Sequence, residues 1–328
     1  MRLIFRNSVH HLESLLSRAD FVNGNCPTSS LKLFGQPVIV RNVDITKKVM
    51  TVESIMIPSN LTNAINLVAT NFPSVEVIEY DDTSLIANDH ATSSGSSLRV
   101  VSNNPVVTGL QQNFEVPINS FIYYSMERGL SVDSVVYPWD FLDIVQKTLR
   151  SEVTRTLISP NASIARTSVI DGPCIIEEDV VIDDFCKIKG PTYISKGSHV
   201  GMSSLVRNCM FGRNTRIGFN CEIAKSYFAG NARIAHQNVI LDSIIGENVW
   251  FGGYSGTANV LLSRKNIKYE ILNELGEKSL LDTGLDHFGA VVGENCAIGA
   301  SVIILPGRQV PQDTVIQAGT IYGVNHRQ

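Results

Sequence analysis

His236 is the residue of this sequence best suited to move a proton near neutral pH. It stands in "NARIAHQNVILDSIIGENVWFGG", residues 231–253. Imidazole titrates close to neutrality, so it can act as general base for a nucleophile that is otherwise protonated. Asp242 follows six residues later and is a candidate to orient the ring or to meet a substrate. Other chemistries have weaker signals. "YDD" at residues 80–82 is an acidic pair that suits Mg²⁺, but at the end of a strand it reads first as a solvated turn. Six cysteines occur without a C-x-x-C pair, which leaves no zinc spacing. In a chain of this length reduced thiols are expected over a disulfide framework.

These side chains must be positioned by a repeat. Aliphatic residues recur every six positions at Ile158, Ile164, Ile170, Ile176, Ile182, Ile188, Ile194, Val200 and Val206. The register slips by one to Phe211, Ile217 and Ile223, again to Phe228, Ile234 and Ile240, and again to Ile245 and Phe251. It returns at Val292, Ile298, Ile304, Val310 and Ile316. One slip for every three hexads makes three hexads one unit. Each hexad supplies a strand and a corner, and three close one coil of a triangular prism. A coil cannot bury its apolar face alone, so coils stack, about eight of them between residues 158 and 322. His236, two residues after Ile234, then projects from a corner.

A second position supports the repeat. Four residues after many of the aliphatics sits a small residue, among them Ala162, Ser168, Cys174, Cys186, Cys221 and Cys296. These cysteines read as small hydrophobes filling a crowded corner. Glycine follows Ile217, Ile245 and Ile298, where a side chain would obstruct a turn.

The repeat is interrupted between residues 261 and 287, "LLSRKNIKYEILNELGEKSLLDTGLDH", a loop read as functional over a tolerated bulge. The first 137 residues read as a small α/β domain. "TVESIMI" and "VEVIEY" suggest strands around a helix in "SNLTNAINLVA" capped by Ser59. "QPVIVRNV" and "SLRVVS" suggest further strands, and "NDHATSSGSS" a polar loop. "PWDFLDIVQKTL", from Pro138, reads as an amphipathic helix linking the domains over 138–155, with the prism spanning 156–323.

The segments "RIGFNCEIAKS" (216–226), "AHQNVILDSIIGENVWFGGYSGTAN" (235–259) and "FGAVVGENCAIGASVIILPG" (288–307) resemble hexapeptide-repeat acyltransferases. More narrowly, they are similar to the archaeal-type bifunctional sugar-1-phosphate nucleotidylyltransferase/amino-sugar acetyltransferases. The resemblance implies a left-handed parallel β-helix behind a small, truncated nucleotidyltransferase-like domain. It implies acetyl transfer from acetyl-CoA to an amino sugar or amino-sugar 1-phosphate, in a homotrimer with the site between neighbouring subunits. His236 falls where the family keeps its base. Arg207, Glu222, Lys225, Asp242 and Asn259 fall on or beside positions that line the sugar-phosphate site. Gly253, Ser255, Ala300 and Ala318 are assigned to coenzyme A, whose pantetheine needs small residues between coils.

The pattern is not complete. The family lysine two residues after the glutamate is Ala224 here, its tyrosine three residues after histidine is Val239, and its basic pair before the loop's return is Asp286 and His287. The G-x-G-T-R nucleotide cradle of the family has no match, since the first glycine is Gly24. Nucleotidyl transfer is therefore expected to be lost. A non-catalytic paralogue, serving as sugar-nucleotide sensor or assembly subunit, is the alternative, as is a different acyl donor or acceptor. A carbonic-anhydrase-like zinc site needs three histidines meeting between subunits, and only His199, His236 and His287 lie in or beside the prism; no metal site is assigned. A net charge of −4 argues against a nucleic-acid partner. With no signal-length apolar core at the N-terminus and no long apolar span, the expectation is a cytoplasmic protein without a membrane segment.

Overall fold

The computed structural model describes residues 2–6, 32–33, 36–49, 52, 54–58, 62–80, 113–117, 120–125, 129–135, 137–272 and 278–323. They divide into two compact units. One draws on residues 2–6 and 36–134, the other on residues 32–33 and everything from Val135.

The first unit holds a four-stranded parallel sheet. Its strands lie in the order Glu76–Tyr80, Ser54–Pro58, Arg2–Arg6, Asn113–Pro117. Helix Thr62–Asn71 connects Ser54–Pro58 to Glu76–Tyr80, as expected of a parallel crossover. The opening "RLIFR" is a strand that sequence reading left unassigned. "QPVIVRNV" requires a correction. Only Gln36–Pro37 is extended, and Val38–Val49 is a helix. Val40 and Val43 sit three apart on one buried face, and Thr46 donates its hydroxyl to the carbonyl of Asn42 at 2.8 Å. Burial at helical spacing has overridden the strand preference of branched residues. Ser59, Asp81, Asp82, "SLRVVS" and "NDHATSSGSS" lie outside the described residues.

The second unit opens with helix Pro138–Glu152. Pro138 begins it without losing a needed donor, and the Asp140 carboxylate accepts the backbone N–H of Tyr137 at 2.8 Å. Phe141, Leu142, Ile144, Val145 and Leu149 form its buried face.

The rest is the prism. Three parallel eight-stranded sheets form its faces. The first face runs from Leu157–Ile158 to Arg308–Val310, the second from Ser163–Ile164 to Val315–Ile316, and the third from Val169–Asp171 to Ile321–Tyr322. This is the left-handed parallel β-helix that the resemblance implied. The ladder also carries the register slip. Ser163 pairs with Val181 and Val181 with His199, eighteen residues apart, whereas His199, Arg216, Arg233 and Trp250 follow at seventeen.

The hexad aliphatics are the core. From Ile176 to Phe251 every residue of the series is buried, and each contributes about 1.5–3 kcal/mol by leaving water. Ile158, at 44% exposure, marks the open first coil. Small residues at the corners act as pins between coils. Ser204 donates its hydroxyl to the carbonyl of Gly218 at 2.8 Å and accepts the N–H of Cys221 at 3.0 Å. Cys186, Cys221 and Cys296 occupy equivalent places, each with its thiol on a carbonyl of the next coil. Glycine is required at Gly218, where a Cβ would lie 2.6 Å from the carbonyl oxygen of Ala235. A ladder of amides runs down one edge: Asn214 donates to Asn231, Asn248 to Asn295 and Asn295 to Asp313, each at 3.0 Å.

The outward side chains of the first face, Tyr193, Met210, Tyr227, Ile244 and Val291, are buried as well. Helix Pro138–Glu152 accounts for part of this: Phe141 meets the Tyr227 ring edge to face at 4.9 Å, and Gln146 donates to the carbonyl of Asn208 at 2.9 Å. The interruption contributes a hairpin, Lys268–Leu272 against Lys278–Asp282. It is anchored by buried Tyr269, whose hydroxyl bonds Gln309 at 3.0 Å and whose ring meets Trp139 and Phe288. The prism resumes in register, Trp250 pairing with Ala297.

Candidate functional site

The expected site residues fall on two edges of the prism. The edge between the second and third faces carries His236. Backbone bonds tie Phe219 to the coil of His236, His236 to that of Gly253, and Gly253 to that of Ala300, through Gln237 N–H, Tyr254 N–H and Ser301 N–H. Ala318 comes next along the line, its backbone N 2.4 Å from where a Cβ on Gly299 would lie. His236, Gly253, Ala300 and Ala318 are therefore brought together. A Cβ at Gly253 would meet nothing closer than the His236 carbonyl at 3.4 Å, so this edge is open at that coil.

Ser255 does not join them. It is 3% exposed, donates its hydroxyl to the carbonyl of Gly299 at 2.8 Å, and accepts the N–H of Val302 at 3.1 Å. It occupies the small-residue corner position, four after Phe251, and is one of the internal pins.

The His236 ring is exposed at its corner. Its Nδ1 accepts the backbone N–H of Phe219 at 3.3 Å, so the neutral ring carries its proton on Nε2. Asp242 does not orient this ring. The two residues stand at opposite ends of strand Val239–Leu241, and the Asp242 carboxylate accepts instead from Asn259 Nδ2 at 2.6 Å.

Asp242 belongs to the edge between the third and first faces. Lys225 lies one coil before it, and both turn the corner at positive φ, 48° and 45°. Arg207, on the third face, pairs with Glu222 at 2.7 Å across adjacent strands. Arg207, Lys225, Asp242 and Asn259 thus form a second group at the far end of the third face from His236, while Glu222 stands at the near end of that face, level with Val239, and reaches Arg207 across it.

A cleft of about 380 Å³ opens beside this second edge. Helix Pro138–Glu152 supplies Trp139, Asp143 and Arg150, the edge supplies Lys225 and Asp242, and the end of the interruption supplies Leu285 to Phe288. Asp286 pairs with His287 Nδ1 at 2.9 Å, and that hydrogen bond holds its carboxyl below the usual range. Sequence reading missed the helix wall. Its signal was present: Asp143, Gln146 and Arg150 recur at helical spacing on the side away from Phe141, Val145 and Leu149.

Residues 153–271 match the family described as the GMPPB C-terminal domain. The bifunctional protein GlmU of Methanococcus aeolicus is 31% identical over 188 residues, 56% of this chain and 43% of that protein. A protein of Sulfurisphaera tokodaii named bifunctional sugar-1-phosphate nucleotidylyltransferase/acetyltransferase is 31% identical over 186 residues, 56% and 44% of the two chains. The chain is similar to bifunctional nucleotidylyltransferase/acetyltransferases. It spans less than half the length of these relatives. A solved structure of a mutant perosamine N-acetyltransferase from Caulobacter crescentus, in complex with CoA and GDP-perosamine, is 15% identical, with a TM-score of 0.21 over 96% of this chain and 92% of that one. Among the described residues no helix is long and apolar enough to cross a membrane.

Proposed function

We propose that this protein is an acetyl-CoA-dependent acetyltransferase acting on an amino sugar or amino-sugar 1-phosphate, with His236 as general base. The observation that carries the reading is the alignment of His236 with Gly253, Ala300 and Ala318 along one open edge. Small side chains there leave room for a pantetheine arm. Acetyl-CoA supplies an activated thioester; the chain's own task is to hold the acceptor and remove its proton. An amino sugar is largely protonated at neutral pH, and a base near pH 7 generates the attacking amine. For Nδ1 to take that proton the ring must release the Phe219 N–H. At 3.3 Å this bond is long, and the broad two-fold torsion of the ring allows the turn.

Arg207, Lys225, Asp242 and Asn259 are a full face away from His236 on the same prism, with Glu222 on the face between. In a homotrimer, a neighbouring prism contributes its own copies to the cleft between subunits, and this is the assembly we favour. The first unit does not transfer nucleotidyl groups, because its sequence lacks the glycine-rich phosphate cradle.

Thiol release from acetyl-CoA in the presence of glucosamine 1-phosphate and related acceptors tests the reading. Silence across a broad acceptor panel, or full activity in His236→Ala, would sink it. The second reading is a non-catalytic paralogue. It is favoured by the hydrogen bond that occupies His236 Nδ1 and by Val239, which puts no hydroxyl beside the ring. Stable co-purification with an active paralogue, without acetyl-CoA binding, would establish it.

A further inference from the structure

The second face of the prism carries a row of outward side chains beside the edge of His236. His199, Arg216, Arg233, Trp250 and Ala297 are successive partners on neighbouring parallel strands. Strands in a sheet stand about 4.8 Å apart, so Arg216, Arg233 and Trp250 span a line of about 10 Å. Both arginines are exposed, and the indole of Trp250 is 49% exposed. Like charges on neighbouring strands cost stability unless a counter-charge stands between them. Here none does. Between residues 181 and 257 the carboxylates are Asp183, Asp184, Glu222, Asp242 and Glu247. They are engaged elsewhere, with His199, Thr167, Arg207, Asn259 and Asn231 respectively, at distances between 2.6 and 2.9 Å. Among the described residues neither Arg216 nor Arg233 has a carboxylate partner, and no ring or cation stacks on Trp250.

A guanidinium matches phosphate oxygens with two parallel donors, and an indole face takes a stacked nucleobase. The row presents them in the order ring, cation, cation. That is the order of base, first phosphate and second phosphate in a nucleoside diphosphate. Arg233 precedes His236 by three residues in the same coil, so about 10 Å of chain at most separates them. Gly218, Ala235 and Gly252 lie between the row and the corner line of His236, and none carries a side chain longer than a methyl. Coenzyme A contains a nucleoside diphosphate too. Its pantetheine, laid along Gly253, Ala300 and Ala318, leads away from Arg216, which leaves the row to the acceptor.

We propose that the second face binds the nucleoside diphosphate of a nucleotide-activated sugar, with the base against Trp250 and the phosphates on Arg233 and Arg216. The sugar then crosses the row of Gly218 and Ala235 toward His236. Naming this ligand as the acceptor rests on the acetyltransferase reading; its binding does not. Calorimetry on the full chain tests it with UDP-, GDP-, ADP- and dTDP-glucose, none of which has a sugar amine to acetylate. Inorganic pyrophosphate and the free nucleosides are the controls, and the titrations are repeated with coenzyme A at saturation.

The expected result is saturable binding of at least one nucleotide sugar, weaker binding of pyrophosphate and of the nucleosides, and no displacement by coenzyme A. Arg216→Gln, Arg233→Gln and Trp250→Leu should each weaken binding about tenfold, the loss of one charge-assisted or stacking contact. The thermal midpoint of the two glutamine variants should hold or rise, because a repulsion is removed. Absence of saturable binding overturns the proposal. So does affinity unchanged in all three variants, which would place the nucleotide on the first unit. Competition by coenzyme A would give the row to the cofactor's own nucleotide and overturn it as well, and a fall in midpoint in both glutamine variants would make the guanidiniums structural, with the same consequence. Nucleotide binding of the expected pattern in a chain that transfers no acetyl group would uphold the site and sink the acetyltransferase reading alone.

Discussion

Phe219 donates its backbone N–H to Nδ1 of His236 from the preceding coil, 3.3 Å away. The contact decides which edge of the imidazole faces outward. It places the Nε2 proton outermost, and acceptance of a proton at Nδ1 requires the ring to turn. His236 is thus poised one rotation away from the role proposed for it.

His236→Ala is expected to lower kcat/KM by about 10²–10⁴-fold, the usual worth of a general base. Acetyl-CoA affinity should stay within about twofold, because the edge at Gly253 and Ala300 is untouched. Steady-state kinetics and calorimetry measure the two quantities separately. Loss of both together would assign His236 to binding.

Adjacent glycines make a sharper test of the edge. A Cβ on Gly252 would lie 2.6 Å from the backbone nitrogen of Ala300, inside the stack, whereas one on Gly253 would meet only a carbonyl at 3.4 Å. Gly252→Ala should destabilise by about 1–3 kcal/mol, as overpacking does, and Gly253→Ala should be nearly neutral. Chemical denaturation reads the difference. Ala300→Trp, on an exposed corner, should keep its stability within about 0.5 kcal/mol yet weaken acetyl-CoA binding.

Asn259→Ala removes the donor that holds the Asp242 carboxylate at 2.6 Å. The acceptor KM should rise about fivefold to tenfold with kcat less affected, since this bond positions a binding group and makes no contact with His236. A selective fall in kcat would instead place Asp242 at the reacting atoms.

Burial controls the thiols. It pushes Cys174 up to about 11 and Cys209 up to about 12 from an ordinary 9.0. A thiol raised in the fold keeps its proton there and loses it more readily on unfolding. Its contribution to stability is complete below pH 9 and is lost as pH rises toward 11 and then 12. Urea midpoints should fall over that alkaline window. In a Cys26→Ser variant, a thiol reagent at pH 8 should label Cys174, Cys186, Cys209, Cys221 and Cys296 only after unfolding, because all five are buried. Rapid labelling of the folded protein would contradict the packing.

The prism was legible because its inward residues repeat at one spacing, and Ile182, Ile217 or Ile245 each lie where the hexads put them. Ser255 was assigned to coenzyme A instead, although it stands four residues after Phe251, in the position that places Cys174 and Cys186 inside corners. Helix Val38–Val49 was not, because its branched residues favour strands locally and only tertiary burial selects the helix. The split of the site into two edges follows from the three-hexad coil: residue 236 aligns with 253, while 242, one hexad on, lies on the next edge. Pairings such as Phe219 with His236, or Asn259 with Asp242, depend on side-chain directions that spacing alone does not contain. The cleft required knowing where the interruption comes back to rest.

One face of the prism is partly covered by the helix and the hairpin of its own unit, and two of the three edges border that face. Among the described residues, the edge with His236 is the edge between the two faces that the helix and the hairpin do not cover. A ligand as long as coenzyme A, or a second prism, can straddle it as a saddle straddles a ridge. Elsewhere the covering elements leave access from one side alone. The covering of a remote face thereby leaves the edge of His236 its approach route.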